Sequence, residues 1–176
     1  MEERRIALFC SSIQEIDPDF HEAAREVTRR LCGKGYTIVS GGSWRGTMGV
    51  ISDEAVRCGG RHIGVVPRFM AKYAYEGLTQ LVWTDTMAER KEILRDKAEA
   101  VIALPGGIGT LDELIETHVL AKLGQYDGKI FALNIKGFYE PLKNLFRHYA
   151  ATGMTAPQDC DRVVFVDSVD ALIEQL

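Results

Sequence analysis

Short apolar runs alternate with amphipathic segments along the whole sequence, and this alternation constrains the fold more than any other feature. The apolar runs are rich in Ile, Val and Leu, as strands must be when helices cover both faces of their sheet. Strands separated by helices are typical of a parallel sheet with right-handed crossovers. Seven strands are predicted, at residues 6–10, 36–40, 62–66, 81–83, 100–104, 129–134 and 163–166.

The segments between these strands have helical periodicity and recognisable end signals. Asp17 followed by Pro18 indicates a capped helix start, and Gly33 indicates the end of that helix. Further helices are predicted at residues 47–58, 86–97, 110–122, 139–151 and 168–174. We therefore predict one Rossmann-like α/β domain over residues 1–176. Its doubly wound parallel sheet should have its ligand crevice beyond the carboxyl ends of the strands.

Composition and charge exclude several classes of protein. With 176 residues, 46% of them hydrophobic and 26% charged, the chain is typical of a single globular domain. A formal net charge of −4 gives no general attraction to nucleic acid or anionic lipid. No apolar stretch approaches the ~18 residues of a membrane span, and the first residues lack the apolar segment of a signal peptide. We expect a cytoplasmic protein with no nucleic-acid or membrane partner.

The cysteines and histidines do not have the spacing of metal ligands. The four cysteines include no CxxC pair, and the four histidines include no paired spacing. We expect buried, reduced thiols and no metal site. The residues concerned are Cys10, Cys32, Cys58, Cys160, His21, His62, His118 and His148.

Two glycine-rich loops each follow a predicted strand and precede a predicted helix. The first reads VSGGSWRGTMGV over residues 39–50, and the second reads ALPGGIGTLDELIE over residues 103–116. Such a loop aims backbone N–H groups at an anion, and glycines let the anion approach closely. We expect a phosphate near Gly107 and Gly109, where Thr110 adds a hydroxyl donor. Neither loop matches the P-loop or the GxGxxG dinucleotide fingerprint, so NAD binding is not expected.

Several charged residues near the second loop have two interpretations each. Glu113 lies three residues after Thr110, which is the spacing of a capping box, where a carboxylate only bonds the start of its helix. Arg90 and Lys91 are adjacent cations on a predicted helix, and Asp112 is a first-turn acid, so a solvated helix face explains all three. The alternative is a role in catalysis or binding, and spacing alone leaves the choice open.

Four motifs give the chain a recognisable resemblance. They are FCSS at residues 9–12, SGGSWRGTMG at 40–49, the ERK of TMAERKEIL at 86–94 and PGGIGTLDE at 105–113. In this order they resemble the LOG (Lonely Guy) phosphoribohydrolases, long labelled lysine decarboxylase-like, over about residues 5–151. The resemblance implies a Rossmann-like homodimer without metal or redox cofactor. It also implies hydrolysis of a nucleoside 5′-monophosphate, such as AMP or a cytokinin riboside monophosphate, to free base and ribose 5-phosphate.

The resemblance also implies roles for single residues. Glu113 corresponds to the family's catalytic carboxylate and Arg90 to its catalytic arginine. A carboxylate suits this reaction because it can activate water and stabilise the positive charge that develops at C1′. The substrate-binding residues implied by the motifs are Ser11, Gly41, Gly42, Lys91, Gly106, Gly107, Ile108, Gly109, Thr110 and Asp112.

The chain departs from the family pattern in two places. The stretch after VVP, at residues 68–80, is shorter than in typical members, and Glu76 is the candidate for the glutamate that contacts the nucleotide there. Val119 replaces a threonine in the helix after PGGIGT, with Thr117 out of register. The choice between adenine and a modified adenine therefore stays open. A nucleotide-binding or carrier protein that has lost turnover is the alternative function.

Overall fold

The computed structural model describes residues 3–176, and its strands form one parallel sheet flanked by helices. The strands are β1 (Arg5–Phe9), β2 (Thr37–Ser40), β3 (His62–Pro67), β4 (Gln80–Thr84), β5 (Ala98–Ala103), β6 (Lys129–Leu133) and β7 (Val163–Val166). The helices are α1 (Pro18–Gly33), α2 (Gly46–Arg57), α3 (Met87–Arg95), α4 (Ile108–Lys122), α5 (Glu140–Ala151), α6 (Pro157–Cys160) and α7 (Val169–Ile173). Two 3-10 segments lie at Arg68–Tyr73 and Ile135–Gly137.

The order of the strands in the sheet fixes the position of the crevice. The order is β4-β3-β2-β1-β5-β6-β7, so the chain builds outward from β1 in one direction and then restarts at β5 on its other side. β1 pairs with β2 through Ala7 and Val39, and with β5 through Ala7 and Val101. Because the loops after β1 and β5 run to opposite faces of the sheet, they open a crevice between them. The predicted Rossmann-like fold is confirmed.

Apolar side chains of the strands form part of two hydrophobic cores, one on each face of the sheet. Along β1, Ile6 and Leu8 belong to one core, while Ala7 and Phe9 belong to the other. This division follows from the period-two alternation of side chains along a strand. Helices α1 and α7 pack on the first face through residues such as Leu31, whereas α3, α4 and α5 pack on the second. Burial on both faces explains why the central strands are mostly apolar.

Two of the predicted helix starts have the capping bonds that their sequences indicate. The Asp17 carboxylate accepts from the Asp19 N–H at 3.0 Å. The Thr86 hydroxyl accepts from the Glu89 N–H at 3.1 Å, and the Glu89 carboxylate accepts from the Asp85 N–H at 2.8 Å. The second arrangement is a capping box whose glutamate reaches one residue further back than usual.

The boundaries of most elements differ from the predicted ones by a residue or two, and one difference matters for the site. Helix α4 begins at Ile108, not at Thr110, and its N-cap residue is Gly107, which supplies no side-chain cap. The 3-10 segments and α6 were not predicted, because they are too short to have apolar periodicity. Within residues 3–176, no helix combines the length and apolar character that crossing a membrane requires.

Candidate active site

A cavity of about 340 Å³ lies at the carboxyl edge of the sheet, where the loops after β1, β2, β3 and β5 meet. Its position is the one that the reversal of strand order predicts. Nine of the residues named from the sequence line it. They are Ser11, Gly41, Arg90, Gly107, Ile108, Gly109, Thr110, Asp112 and Glu113. Gly42, Lys91 and Gly106 lie nearby but do not line it.

Arg90 of α3 and Glu113 of α4 form a buried ion pair in the wall of this cavity. Arg90 Nη1 lies 2.7 Å from Glu113 Oε1, and Arg90 Nε donates to the Val65 carbonyl at 3.1 Å. The two residues are only 7% and 9% exposed. The interpretation of Arg90 as part of a solvated helix face is therefore wrong. Since β3 and α3 together fix the guanidinium, the pair has a defined position against the cavity.

Glu113 does not cap its helix. Because α4 begins at Ile108, Glu113 lies in the second turn, beyond reach of the free N–H groups at the helix start. The capping-box interpretation is wrong for the same reason. Burial raises the pKa of Glu113 above its ordinary value, and the Arg90 guanidinium opposes only part of that rise. The pKa of this carboxyl group is thus closer to neutral pH than that of an exposed glutamate.

The two glycine loops serve different purposes. A Cβ at Gly41 would collide with the Arg90 guanidinium, and a Cβ at Gly42 (φ +62°) would lie 2.6 Å from the Gly64 Cα. The first loop therefore makes room for Arg90 and packs against β3. In the second loop, Gly107 and Gly109 have open space where a Cβ would lie. These two glycines leave the N-terminus of α4 accessible from the cavity.

The hydroxyl group of Thr110 adds to this open helix end. Its Oγ1 is buried, and among residues 3–176 it has no hydrogen-bond partner. A missing Cβ at Gly106 leaves the space that the Thr110 side chain occupies. A buried hydroxyl normally finds a partner, so one without a protein partner in a cavity wall suits a ligand oxygen. The positive end of α4 favours an anionic ligand at the same place.

Lys91 belongs to a network that joins α3 to α4. Its Nζ lies 3.0 Å from Asp112 Oδ2 and also pairs with Glu116, whose carboxylate contacts Arg95 at 3.3 Å. These bonds raise the pKa of Lys91, with that to Glu116 contributing most. The network holds the two helices that carry Arg90 and Glu113 side by side. Asp112 lines the cavity, while Lys91 lies behind it.

The end of β1 contributes two small residues. Cys10 and Ser11 are buried and line the cavity, and the Ser11 hydroxyl accepts from the Ile13 N–H at 3.0 Å. Burial, followed by the nearby Glu113 carboxylate, raises the pKa of the Cys10 thiol, so it is neutral. All four cysteines are free. The expectation that all four are buried is wrong, because Cys58 at the end of α2 is exposed.

The two residues named at the departures from the family pattern, Glu76 and Val119, lie outside the cavity. Glu76 is exposed and does not contribute to its lining. Val119 is exposed on the outer side of α4, and the buried Thr117 hydroxyl donates to the Glu113 carbonyl at 2.7 Å. The segment after β3 supplies Met70 and Tyr73 instead. Sequence reasoning missed these two and also Arg45, Met48 and Met87, which all line the cavity.

Among residues 3–176, no group of His, Cys, Asp and Glu side chains is arranged to hold a metal ion.

Comparison with known proteins assigns the family. A sequence profile described as "Possible lysine decarboxylase" matches residues 48–176. The chain is 36% identical over 170 residues to the cytokinin riboside 5′-monophosphate phosphoribohydrolase of Mycobacterium tuberculosis, covering 95% of this chain and 90% of that one. It belongs to the LOG family. A probable LOG phosphoribohydrolase of rice is 35% identical over 176 residues, covering 98% of this chain and 72% of the rice protein. The prediction of a family of N-glycosidic hydrolases is confirmed.

Solved structures agree with this assignment at the level of the fold. The molybdenum cofactor binding protein from Rippkaea orientalis superposes with a TM-score of 0.73 at 21% identity, over 99% of this chain and 96% of that one. The Moco carrier protein from Chlamydomonas superposes with a TM-score of 0.74 at 18% identity, with the same coverage. At these identities the likeness concerns the fold alone. The LOG fold is thus shared by proteins with different ligands.

Proposed function

We propose that this LOG protein hydrolyses the N-glycosidic bond of a nucleoside 5′-monophosphate, releasing free base and ribose 5-phosphate. The substrates we propose are AMP and cytokinin riboside monophosphates, since the relatives at 33–37% identity are named for the latter. One observation carries the proposal: the buried Arg90–Glu113 pair lies in the wall of the same cavity as the open N-terminus of α4. A phosphate site and a carboxylate are thereby combined in one crevice.

Glu113 is the residue we propose to act on the reacting atoms. Cleavage of the bond leaves positive charge on C1′ and the ring oxygen, which a nearby carboxylate stabilises. The same carboxylate can take a proton from the attacking water, and a raised pKa brings its basicity closer to neutral pH. That proton then neutralises the departing base, which restores the carboxylate and yields the free base. Arg90 fixes one carboxylate oxygen, Oε1, through its Nη1 and leaves Oε2 for the water.

The N-terminus of α4 is the proposed phosphate site. Gly107 and Gly109 leave the backbone N–H groups unobstructed, and the Thr110 hydroxyl has no protein partner among the described residues. Binding the 5′-phosphate there would orient C1′ toward Glu113, one turn further along the helix. Phosphate binding would then position the substrate, while Glu113 and Arg90 perform the chemistry.

Product analysis tests this proposal directly. The protein is incubated with AMP and with N6-isopentenyladenosine monophosphate, and free base and ribose 5-phosphate are quantified by chromatography. We expect both products in equal amounts. Nucleotide binding without release of base, across purine and pyrimidine monophosphates, would contradict the enzymatic function and support a carrier.

We also propose a homodimer, as the family resemblance implies. The outer face of α4 carries exposed apolar side chains, with Ile108 82%, Val119 46% and Leu123 62% exposed. Ile108 also lines the cavity, so this face is continuous with the site. A second copy of the chain is the occupant we propose for it. The cytoplasmic location expected from the sequence stays a prediction.

A further inference from the structure

The cavity contains an aromatic and cationic corner that the proposed reaction leaves without a role. Arg45 and Tyr73 both line the cavity, and the Arg45 Cζ lies 5.0 Å from the centre of the Tyr73 ring. Building on the proposed function, we propose that this pair is the platform on which the nucleobase stacks. Guanidinium and aromatic planes are the surfaces that proteins use to stack bases.

The order of the strands places this corner at the far end of the cavity from the proposed phosphate site. Gly107 and Thr110 follow β5, whereas Arg45 follows β2 and Tyr73 follows β3. In the sheet β2 lies two strand spacings from β5 and β3 lies three, or about 10 Å and about 14 Å at about 4.8 Å per spacing. Arg90 lies between the two ends, because it contacts Glu113 on one side and Val65 of β3 on the other. A nucleotide held by its phosphate at α4 therefore extends its base toward Arg45 and Tyr73.

Arg45 differs from the other charged residues of the cavity in having no partner of opposite charge. Arg90 pairs with Glu113, and Asp112 pairs with Lys91. Within residues 3–176, the guanidinium of Arg45 forms no ion pair with a carboxylate. Its Cζ lies over the Tyr73 ring instead, at a distance from the ring centre that is typical of cation–π contacts. The planar guanidinium of Arg45, which has no carboxylate partner, is therefore available to stack against a neutral nucleobase.

The corner is also rigid, because the 3-10 segment Arg68–Tyr73 is fastened to the loop that carries Arg45. The Trp44 N–H donates to the Tyr73 carbonyl at 3.0 Å, and the Tyr75 N–H donates to the Gly42 carbonyl at 2.9 Å. An antiparallel bridge joins Ser43 to Ala74 between these two bonds. The two backbone segments that carry Arg45 and Tyr73 are thus joined, so the backbone itself needs little ordering when a base binds.

A stacking platform has a consequence for the choice of base. Stacking uses the face of the ring and is tolerant of the groups on its edge. Glu76, the candidate for a polar contact to the nucleotide, is exposed and outside the cavity. We therefore expect adenine nucleotides with and without an N6 substituent to bind with similar affinity.

The test compares a ligand that carries a base with one that lacks it. Formycin 5′-monophosphate has its base attached through a carbon–carbon bond, so it binds without being hydrolysed. Its dissociation constant and that of ribose 5-phosphate are measured by calorimetry on the wild-type protein, Arg45→Ala and Tyr73→Ala. Lys72→Ala is the matched control, because its ammonium also lies over the Tyr73 ring, at 4.9 Å, but outside the cavity.

We expect Arg45→Ala and Tyr73→Ala to weaken formycin monophosphate binding by about tenfold, within the range for loss of one stacking contact. Ribose 5-phosphate binding should change by less than about twofold, since the platform lies away from the phosphate. Tyr73→Phe should recover most of the affinity lost in Tyr73→Ala, because it keeps the ring. If Arg45→Ala weakens the binding of both ligands equally, Arg45 contacts the phosphate and the platform is refuted. Unchanged binding of formycin monophosphate would also refute the platform. Absence of AMP hydrolysis by the wild-type protein would refute the proposed reaction but not this binding result.

Discussion

At the scale of single residues, Glu113 and Arg90 matter because burial shields both charges from solvent. The pair is almost fully buried, and its two members come from different helices. Burial favours the protonated form of the carboxyl group, whereas the guanidinium favours the ionised form. The balance between these two effects gives the site a carboxylate whose basicity exceeds that of a surface glutamate.

The substitution Glu113→Gln separates catalysis from binding. The glutamine side chain would keep the size of the original and an oxygen for Arg90, but it cannot accept the proton of the attacking water. We expect turnover of AMP to fall by at least about 10²-fold, the lower scale for acid–base catalysis, with nucleotide affinity changed much less. Steady-state kinetics and calorimetry on the same preparation measure both quantities.

Glu116→Gln is the matched control for this substitution. Glu116 lies almost one turn further along α4 and pairs with Lys91 and Arg95 outside the cavity. Its substitution should leave turnover within about twofold, because the Lys91–Asp112 ion pair still joins α3 to α4 and the glutamine oxygen can still accept a hydrogen bond from Lys91. Full activity in a folded Glu113→Gln protein would end the catalytic assignment.

Thr110→Val tests the proposed phosphate site at the level of one oxygen atom. Valine has nearly the shape of threonine but lacks the hydroxyl, and Thr110 Oγ1 is buried without a partner in the described part of the chain. Removing an unsatisfied buried hydroxyl should leave the ligand-free protein equally stable or up to about 1 kcal/mol more stable. Ribose 5-phosphate binding should weaken by about tenfold, because a charge-assisted hydrogen bond is worth ~1.5–3 kcal/mol.

Thermal unfolding without ligand and calorimetry with ribose 5-phosphate decide the outcome for Thr110→Val. A lower melting temperature with unchanged ligand affinity would mean that the hydroxyl serves the fold and not the phosphate. Gly33→Ala at the end of α1 is a suitable control, since a Cβ there meets nothing within 4 Å.

At the scale of elements, the contact between α1 and α2 depends on one buried carboxylate. Glu54 of α2 is 1% exposed, and its oxygens accept from Arg29 of α1 at 3.0 Å and from Arg57 at 2.8 Å. These hydrogen bonds, chiefly that from Arg57, lower the pKa of Glu54 to about 2. Because the folded-state pKa lies below the unfolded value of 4.5, the contribution to stability is complete above pH 4.5 and is lost as the pH falls toward 2.

Comparison of the wild-type protein with Glu54→Gln isolates this contribution. At neutral pH the wild type should be more stable by about 2–3 kcal/mol, because the lowered pKa corresponds to about 3.5 kcal/mol at about 1.4 kcal/mol per pKa unit and solvent around the exposed Arg29 and Arg57 screens part of it. The difference in free energy of unfolding should become smaller between pH 4.5 and 2, because Glu54 of the wild type becomes protonated and loses the charge that glutamine lacks. Urea unfolding of both proteins at several pH values measures it. A difference that stays constant over this range would show that Glu54 acts through packing alone.

The elements that could be predicted from the sequence are those with a periodic pattern. The seven strands and the long helices were found because burial on both faces, or on one stripe, leaves a visible repeat. The start of α4 was misplaced because the residues just before Thr110 include three glycines and an isoleucine that is 82% exposed. That small error kept the capping-box interpretation of Glu113 open, and only the position of Gly107 as N-cap resolves it.

The parts of the site that escaped prediction depend on long-range contacts. Tyr73 lies in a 3-10 segment without periodicity, and its position is set by hydrogen bonds to the loop after β2, which lies much earlier in the chain. Arg90 and Glu113 are linked by motif resemblance but not by any spacing rule, since α3, β5 and α4 must fold before they meet. Sequence motifs thus predict Arg90 and Glu113, whereas the Arg45–Tyr73 corner of the cavity is visible only in the structure.

At the scale of the whole molecule, the position of the site depends on the order of the strands in the sheet. The reversal of strand order between β1 and β5 opens the crevice, and the loops of β2 and β3 extend it away from α4. The N-terminus of α4, the Arg90–Glu113 ion pair and the Arg45–Tyr73 corner all lie along this edge of the sheet. Because α4 carries Glu113 on its inner side and apolar residues on its outer side, assembly through α4 would bear directly on the geometry of the site.

Val119→Asp tests whether that outer side of α4 is a contact between two copies of the chain. Val119 is 46% exposed, so a charge there costs the isolated chain little, but in an apolar dimer interface two buried carboxylates would face each other across the symmetry axis. Sedimentation velocity at micromolar concentration should give a dimer for the wild-type protein and a monomer for the variant. Val56→Asp on α2 is the matched control, because Val56 is 52% exposed on a different helix, and it should remain a dimer. A monomeric wild type would refute the dimer itself, while a dimeric Val119→Asp protein would place the interface on another face. If the dimer forms through α4, Val119→Asp should also lower turnover, because the helix that carries Glu113 would lose its support.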